Sequence, residues 1–365
     1  MKEKIRLDAS EKAAKWGEVI DLVHHGMPRL TPLQPPRSMR DLIRRAGLRD
    51  VVKMYGLFLF QMGLKGKGGI LSGKFPPMLN LIYSKRDVLV PGRKQLVPTS
   101  GNAGKDLAIL DPLTDDDGCV AVVNHGTHDG KVRQLKVFGA EVIVAPEGTQ
   151  ATDYARALAV DYPSLELQDQ YADEATIEGH EPTAAHVMRE AERLLKEKNI
   201  RGRGFTIATV TGTFSTAAAM LRYAKWRNAA DWQIPVMGIC SADGQKVPGS
   251  RTPKDIAELQ HVGGFFYRPE FKNALDFGGL VKGPSLDVVY NQNAERALLD
   301  YMPLGPTTSL CEIAYCEELR KGIEAGNIDP FLNEAGEAVS FHIGVDSNHY
   351  YMWDDRFAAA YEHFQ

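Results

Sequence analysis

The sequence predicts an α/β fold built on mostly parallel sheets, and three observations carry that expectation. From Val51 onwards, apolar runs bounded by glycine alternate with amphipathic stretches, the texture of strands joined by crossover helices. A strand, a turn of small and hydroxylated residues and then a helix follow one another twice, at Ser100–Gly104 and at Gly212–Thr216. At 365 residues the chain is long for a single core, so two domains or one large α/β unit are expected.

Along the chain, a helix is expected over Ala9–His25, followed by the proline-rich connector "MPRLTPLQPPRS". "YGLFLFQMGL" is too short to span a bilayer and reads as a buried strand. In "DGKVRQLKVFGAEVIVAPEG", Val132, Leu135 and Phe138 recur at helical spacing, Gly139 suits a helix end, and "AEVIVAP" reads as a buried strand. "AAHVMREAERLLKEKN" is an amphipathic helix whose charged side, around Met188 to Lys198, is expected to face solvent. Phe205–Val210 then forms a strand, "AAAMLRYAKW" a helix, "IPVMGICSAD" a strand and "SLCEIAYCEELRKGI" a last helix. The aromatic C-terminus, "SNHYYMWDDRFAAAYEHFQ", is expected to pack against the body or a second subunit.

Composition narrows the function classes. With 44% hydrophobic and 25% charged residues and a net charge of −4, the chain carries no basic footprint for nucleic acid. Cys119, Cys240, Cys311 and Cys316 are too sparse for a disulfide framework or a CxxC metal site, and they read as reduced thiols. The charged N-terminus does not resemble a secretion signal, so a soluble cytoplasmic protein is expected. His24–His25, His125 and His128 lack converging carboxylates, so no metal site is expected from them. No GxGxxG with an acidic residue downstream supports a dinucleotide. Each small-residue turn aims N–H groups and a helix N-terminus at whatever lies above its sheet, which makes it a candidate anion site.

Motif order then points to a family. "TSGNAG" resembles a "TSGNTG" loop, and "SGKFPPMLNLI" upstream resembles a lysine segment that leads into a helix. "KVRQLKVFGAEVIV" resembles a helix–Gly–Ala–strand unit, and "DQYADEATIEGH" aligns without a gap on "QQF…NP…P…H". "GTFST", "VMGICSAD" and "GPTTS" lie where "GTGGT", "GVEP.D" and "GISSG" are expected. Over Ser72 to Lys321 the chain thereby resembles the fold-type-II, tryptophan-synthase-β-like pyridoxal-phosphate enzymes, and most nearly the cysteine synthase and cystathionine β-synthase group.

The resemblance implies two α/β domains, each a mostly parallel sheet flanked by helices, with pyridoxal 5'-phosphate in the cleft between them. The boundaries it suggests are 1–65 for an N-terminal extension with part of the large domain, 66–172 for a small mobile domain and 173–365 for the large cofactor-binding domain. It also implies a homodimer. Lys74 falls on the Schiff-base lysine, with Lys65 and Lys67 as its competitors. A lysine in that role must work as a neutral amine, and burial lowers its pKa towards neutrality.

Asn102 falls on the asparagine that meets the cofactor's ring oxygen, while Thr99, Ser100, Ala103 and Gln170 fall on the substrate-carboxylate site. Gly212, Thr213, Phe214, Ser215 and Thr216 fall on the phosphate turn, and Thr307 faces the pyridine nitrogen with Thr308 as the alternative. His125 lies in the small domain, where it could reach the cofactor face.

The sequence also departs from the pattern. Pro76 and Pro77 follow the lysine, where a first helical turn tolerates them. Phe214 and Ser215 replace two glycines, which would be strained at positive φ.

The reaction so implied is β-elimination or β-replacement, through an α-aminoacrylate, on an amino acid with a Cβ leaving group, with a small nucleophile as second substrate. A serine/threonine-type ammonia-lyase or racemase is the alternative within the fold, and a non-catalytic binding or regulatory protein the alternative outside catalysis.

Overall fold

A computed structural model describes residues 27–33, 35, 37–59, 73–84, 92–99, 101–111, 117–127, 129–171, 174–200, 205–211, 215–226, 236–240 and 310–344. The helix expected over Ala9–His25 and the aromatic C-terminus lie outside them. The described elements begin with β1 (Thr31–Pro32), α1 (Arg37–Arg45), β2 (Val52–Phe58), α2 (Phe75–Ser84), β3 (Lys94–Pro98), α3 (Asn102–Leu110), β4 (Cys119–Val123), α4 (Asp129–Val137) and β5 (Glu141–Val144). They continue with α5 (Ala151–Asp161), β6 (Leu165–Leu167), α6 (Ala175–Glu178), α7 (Glu181–Glu197), β7 (Thr206–Thr211), α8 (Ser215–Trp226), β8 (Val236–Cys240), α9 (Leu310–Glu324) and β9 (Ala338–Gly344). Two compact units result, one containing Gln61–Gly179 and the other combining Pro28–Phe60 with His180–Ser347.

The first unit carries an all-parallel sheet in the order β5-β4-β3-β6. Strand alternation sorts its side chains. Leu96, Val120 and Val122 turn to α5, where the small residues Ala151 and Ala155 let the helix lie close. Burying each such Leu or Val contributes about 1.5–3 kcal/mol. On the opposite face Ala121 meets α3, which approaches closely because residue 104 is glycine. A Cβ there would lie 2.7 Å from Thr99 Cγ2 and 2.8 Å from Leu135 Cδ2. "AEVIVAP" forms a strand as expected, but an edge strand, and Val144 remains 49% exposed because β5 ends the sheet.

The helix after Lys74 packs against α6 in the same unit. Asn80 Nδ2 donates to the Ala175 carbonyl at 2.8 Å. Pro76 and Pro77 occupy the first turn of α2, where their missing N–H groups have no intrahelical partner to lose.

The second unit has the order β1-β2-β9-β7-β8, parallel throughout except for β1. Phe341 of the central β9 stacks on Tyr55 at 5.8 Å and meets Phe205 edge-on at 4.8 Å. The other face of β9 is polar yet equally buried: Ser340 Oγ and His342 Nε2 are 2.9 Å apart. Tyr315 of α9 lies edge-on to His342 at 5.2 Å. Burial pushes the Tyr315 phenol up, and it stays neutral.

Helix α7 buries Ala184, Val187, Met188, Ala191 and Leu194. Its charged side is not wholly solvated, because Glu190 is only 9% exposed and accepts from Leu30 N at 3.2 Å and Arg193 Nη2 at 2.8 Å. Among the described residues no helix is long and apolar enough to cross a membrane.

Candidate active site

Sheet order locates the two turns. In the first unit β3 is followed in sequence by β4 and β5 on one side, and β6 then returns to its other side. In the second, β8 lies on one side of β7 and the later β9 on the other. An open parallel sheet leaves a crevice where its order reverses, outside the carboxyl ends of the strands. Thr99 and Gly101 follow β3 and lead into α3, and Ser215 opens the helix that follows β7. Both therefore sit at reversal points of their own sheets.

The first loop is held by its own threonine. Thr99 is 3% exposed, and its Oγ1 accepts from Gly101 N at 2.9 Å and from Gly104 N at 3.2 Å. Gly101 takes φ +141° and ψ −63°, which disfavours any residue with a Cβ. Helix α3 begins directly afterwards with Asn102 and Ala103, both buried, and the Lys105 N–H closes onto the Gly101 carbonyl at 2.9 Å. Ala103 brings no hydroxyl. What it offers is a first-turn N–H, which has no intrahelical acceptor by position.

Gln170 comes from the neighbouring strand's exit. Its Nε2 donates to the Pro98 carbonyl at 2.9 Å, and the side chain is 3% exposed. Beneath it, Gln168 Nε2 donates to Gln95 Oε1, and Gln95 Nε2 donates to Glu166 Oε2 at 3.2 Å. This buried amide relay fixes the end of β6 to β3. Thr99, Asn102, Ala103 and Gln170 thus all stand at the carboxyl ends of the adjacent strands β3 and β6.

Lys74, in the same unit, directly precedes α2, and its carbonyl accepts the first helical bond from Met78 N at 3.0 Å. Its side chain is half-buried. In the second unit Ser215 and Thr216 open the 12-residue α8 and are 0% and 6% exposed. Ser215 adopts helical backbone, which any residue tolerates, so replacing glycine there introduces no strain. The expectations at Ser100, Gly212, Thr213, Phe214 and Thr307, with Thr308, fall outside the described residues, as do Lys65, Lys67 and His128. His125 is exposed, and among the described residues no group of His, Cys, Asp and Glu forms a metal cluster.

One residue escaped the sequence reading. His180, 1% exposed, brings Nε2 to 3.3 Å from Thr216 Oγ1. It closes the "DQYADEATIEGH" segment, and its place in that motif is the one signal in the sequence that points to it.

The start of α8 suits a dianionic phosphate. Ser215 and Thr216 are buried hydroxyls at a helix N-terminus, where negative charge is favoured.

Comparisons with known proteins agree. A crystal structure of a lysine-to-alanine variant of O-ureido-L-serine synthase with O-ureido-L-serine bound superposes with a TM-score of 0.59 at 15% identity, over 93% of this chain and 93% of that one. A structure of O-ureido-L-serine synthase gives 0.58 at 16% identity, over 93% of this chain and 94% of that one. At such identities the likeness is one of fold. A search of curated proteins returned no match. The model of the pyridoxal-phosphate-dependent enzyme family matches residues 68–321, and the chain belongs to that family.

Proposed function

We propose that this protein catalyses β-replacement or β-elimination on an amino acid carrying a leaving group at Cβ, with Lys74 as its cofactor-bearing lysine. The observation that supports this most directly is the Thr99–Ala103 loop. Its threonine hydroxyl accepts from Gly101 N and Gly104 N and so fixes a helix start where the sheet order reverses. An α-carboxylate is an acceptor-only group, and such a helix start is its natural counterpart.

Pyridoxal phosphate, when bound, supplies the electron sink that makes a Cα proton removable. The remaining work falls to the chain. Lys74 would hold the cofactor and, as a neutral amine, would take the Cα proton on Nζ. Ser100, Ala103 and Gln170 orient the carboxylate, with Thr99 holding the loop to shape, and Asn102 meets the cofactor's ring oxygen. The segment 212–216 would hold the phosphate through N–H groups and the hydroxyls of Thr213, Ser215 and Thr216, with Phe214 either shielding it or packing inward. Thr307, or Thr308 in its place, would offer the pyridine nitrogen a neutral hydroxyl, which suits chemistry at Cβ better than transamination.

The domain division of the sequence reading, with 66–172 as the small mobile domain, belongs to this proposal, as do a homodimer and a cytoplasmic location. The O-substituted serine named in the structural relatives is an amino acid of the proposed class.

The test is product analysis with O-substituted serines, with and without a small thiol or sulfide. Keto acid and ammonia released from the amino acid alone mark elimination. A new amino acid formed only with the nucleophile marks replacement. Turnover of unsubstituted serine or threonine, with no reaction of the O-substituted forms, would replace this reading with the ammonia-lyase.

A further inference from the structure

The proposed phosphate turn has a second layer. His180 stands at the N-cap position of α7 with backbone φ −87° and ψ −10°, and its side chain makes no capping hydrogen bond to its own helix. Its Nε2 instead lies 3.3 Å from Thr216 Oγ1, in the second residue of α8, and both residues belong to the same compact unit. They are 1% and 6% exposed, so bulk water does not compete for the contact. His180 serves Thr216 rather than its own helix end.

A hydroxyl has one hydrogen to donate, while a phosphate dianion can only accept. Two arrangements of the pair are therefore distinguishable. If Nε2 is the acceptor, the Thr216 hydrogen is committed to the imidazole and only lone pairs face the phosphate. If Nε2 carries the hydrogen and donates, Thr216 Oγ1 becomes the acceptor and its own hydrogen is released for the phosphate. Only the second is compatible with Thr216 as a phosphate ligand.

We infer that His180 is a positioning residue of the phosphate site: it donates from Nε2 to Thr216 Oγ1 and so directs the threonine hydroxyl proton to the cofactor's phosphate. This rests on the proposed placement of the phosphate at the start of α8. His180 acts entirely through Thr216, so its effect should depend on the phosphate and on the threonine hydroxyl, and on nothing else in the cofactor.

Apoenzyme titrated with pyridoxal phosphate and with pyridoxal, which lacks the phosphate, separates the cases. The His180→Leu variant is expected to weaken pyridoxal phosphate about tenfold, the effect of one directed hydrogen bond, and to leave pyridoxal within about twofold. Gln places an amide N–H near the position of Nε2 and should restore most of the affinity. Asn reaches only the position of Nδ1 and should not. The Thr216→Val variant should show the same loss as His180→Leu, and the double variant should be no worse than Thr216→Val. The ³¹P resonance of bound cofactor should shift in His180→Leu and return in His180→Gln.

Equal weakening of both ligands by His180→Leu would overturn the inference in favour of a general structural role, and so would no effect on either. An additional loss on top of Thr216→Val would equally overturn it. If Thr216→Val itself leaves pyridoxal phosphate binding unchanged, the placement of the phosphate fails first, and this inference with it. Should His180→Leu lose its native circular dichroism, His180→Asn takes its place with the same expected values.

Discussion

The side-chain amide of Gln170 donates to the carbonyl of Pro98 at 2.9 Å, joining the exits of two adjacent parallel strands. The bond closes the crevice side of the first unit's sheet, and the loop that follows Pro98 inherits its position. Replacing Gln170 with Leu leaves a buried carbonyl without this donor, at a cost of about 1–3 kcal/mol in stability. Urea denaturation measures that loss. Under the proposed function the variant also loses affinity for the amino acid, read as a rise in KM larger than any fall in kcat.

Thr99 makes a sharper test because its hydroxyl accepts from two backbone donors. Thr99→Val keeps the shape and removes the acceptor, leaving the N–H groups of Gly101 and Gly104 to be satisfied elsewhere. A loss of about 1–3 kcal/mol in unfolding free energy is expected, and Thr99→Ser should recover most of it. Equal stability of the Val and Ser variants would show that the loop is held by something other than this hydroxyl.

At Gly104 the issue is space. An alanine Cβ would meet Thr99 Cγ2 at 2.7 Å and Leu135 Cδ2 at 2.8 Å, both inside normal contact. Gly104→Ala is expected to lose about 1–3 kcal/mol through overpacking. It should also shift the backbone amide resonances of Gly101 and Asn102, because α3 must retreat from Thr99 and from Leu135 of α4.

Glu190 gives a pH signature. Burial pushes its carboxyl up, but the hydrogen bonds from Arg193 and from Leu30 N, with the charge of Arg193, outweigh this and hold it below its ordinary value of 4.5. A carboxyl depressed on folding contributes stability that is fully present above the unfolded value and disappears as pH falls through the folded one. Urea midpoints for the protein and for Glu190→Gln should therefore differ most at neutral pH and converge as pH drops below about 4.5. A gap that is constant from neutral to acid would show that Glu190 makes no charge-dependent contribution.

Much of the first unit was legible in the sequence because its signals are local. Pro76 and Pro77 permit a helix immediately after Lys74, and "TSGNAG" holds both its anchoring threonine and the glycine with positive φ within a few residues. The amphipathic period of α7 gave the helix, but not the burial of Glu190, whose partner Leu30 is 160 residues away.

Strand β9 went unread for a related reason. Ser340 and His342 alternate with apolar residues as on a solvent-facing strand, yet both are fully buried because Tyr315 of α9 covers them. His180 lies within a recognisable motif, but only the fold brings it to Thr216, 36 residues on. Pairing across such separations is decided by tertiary packing, and periodicity carries no record of it.

The central claim is that Lys74 carries the cofactor, and the visible absorption spectrum of the purified protein beside a Lys74→Ala variant tests it most directly, each with added pyridoxal phosphate. A yellow absorption band that belongs to the protein and survives gel filtration is expected in the first and absent from the second, while both retain the same far-ultraviolet circular dichroism. A Lys74→Ala protein with the same band as the parent, or a parent that stays colourless, would contradict it.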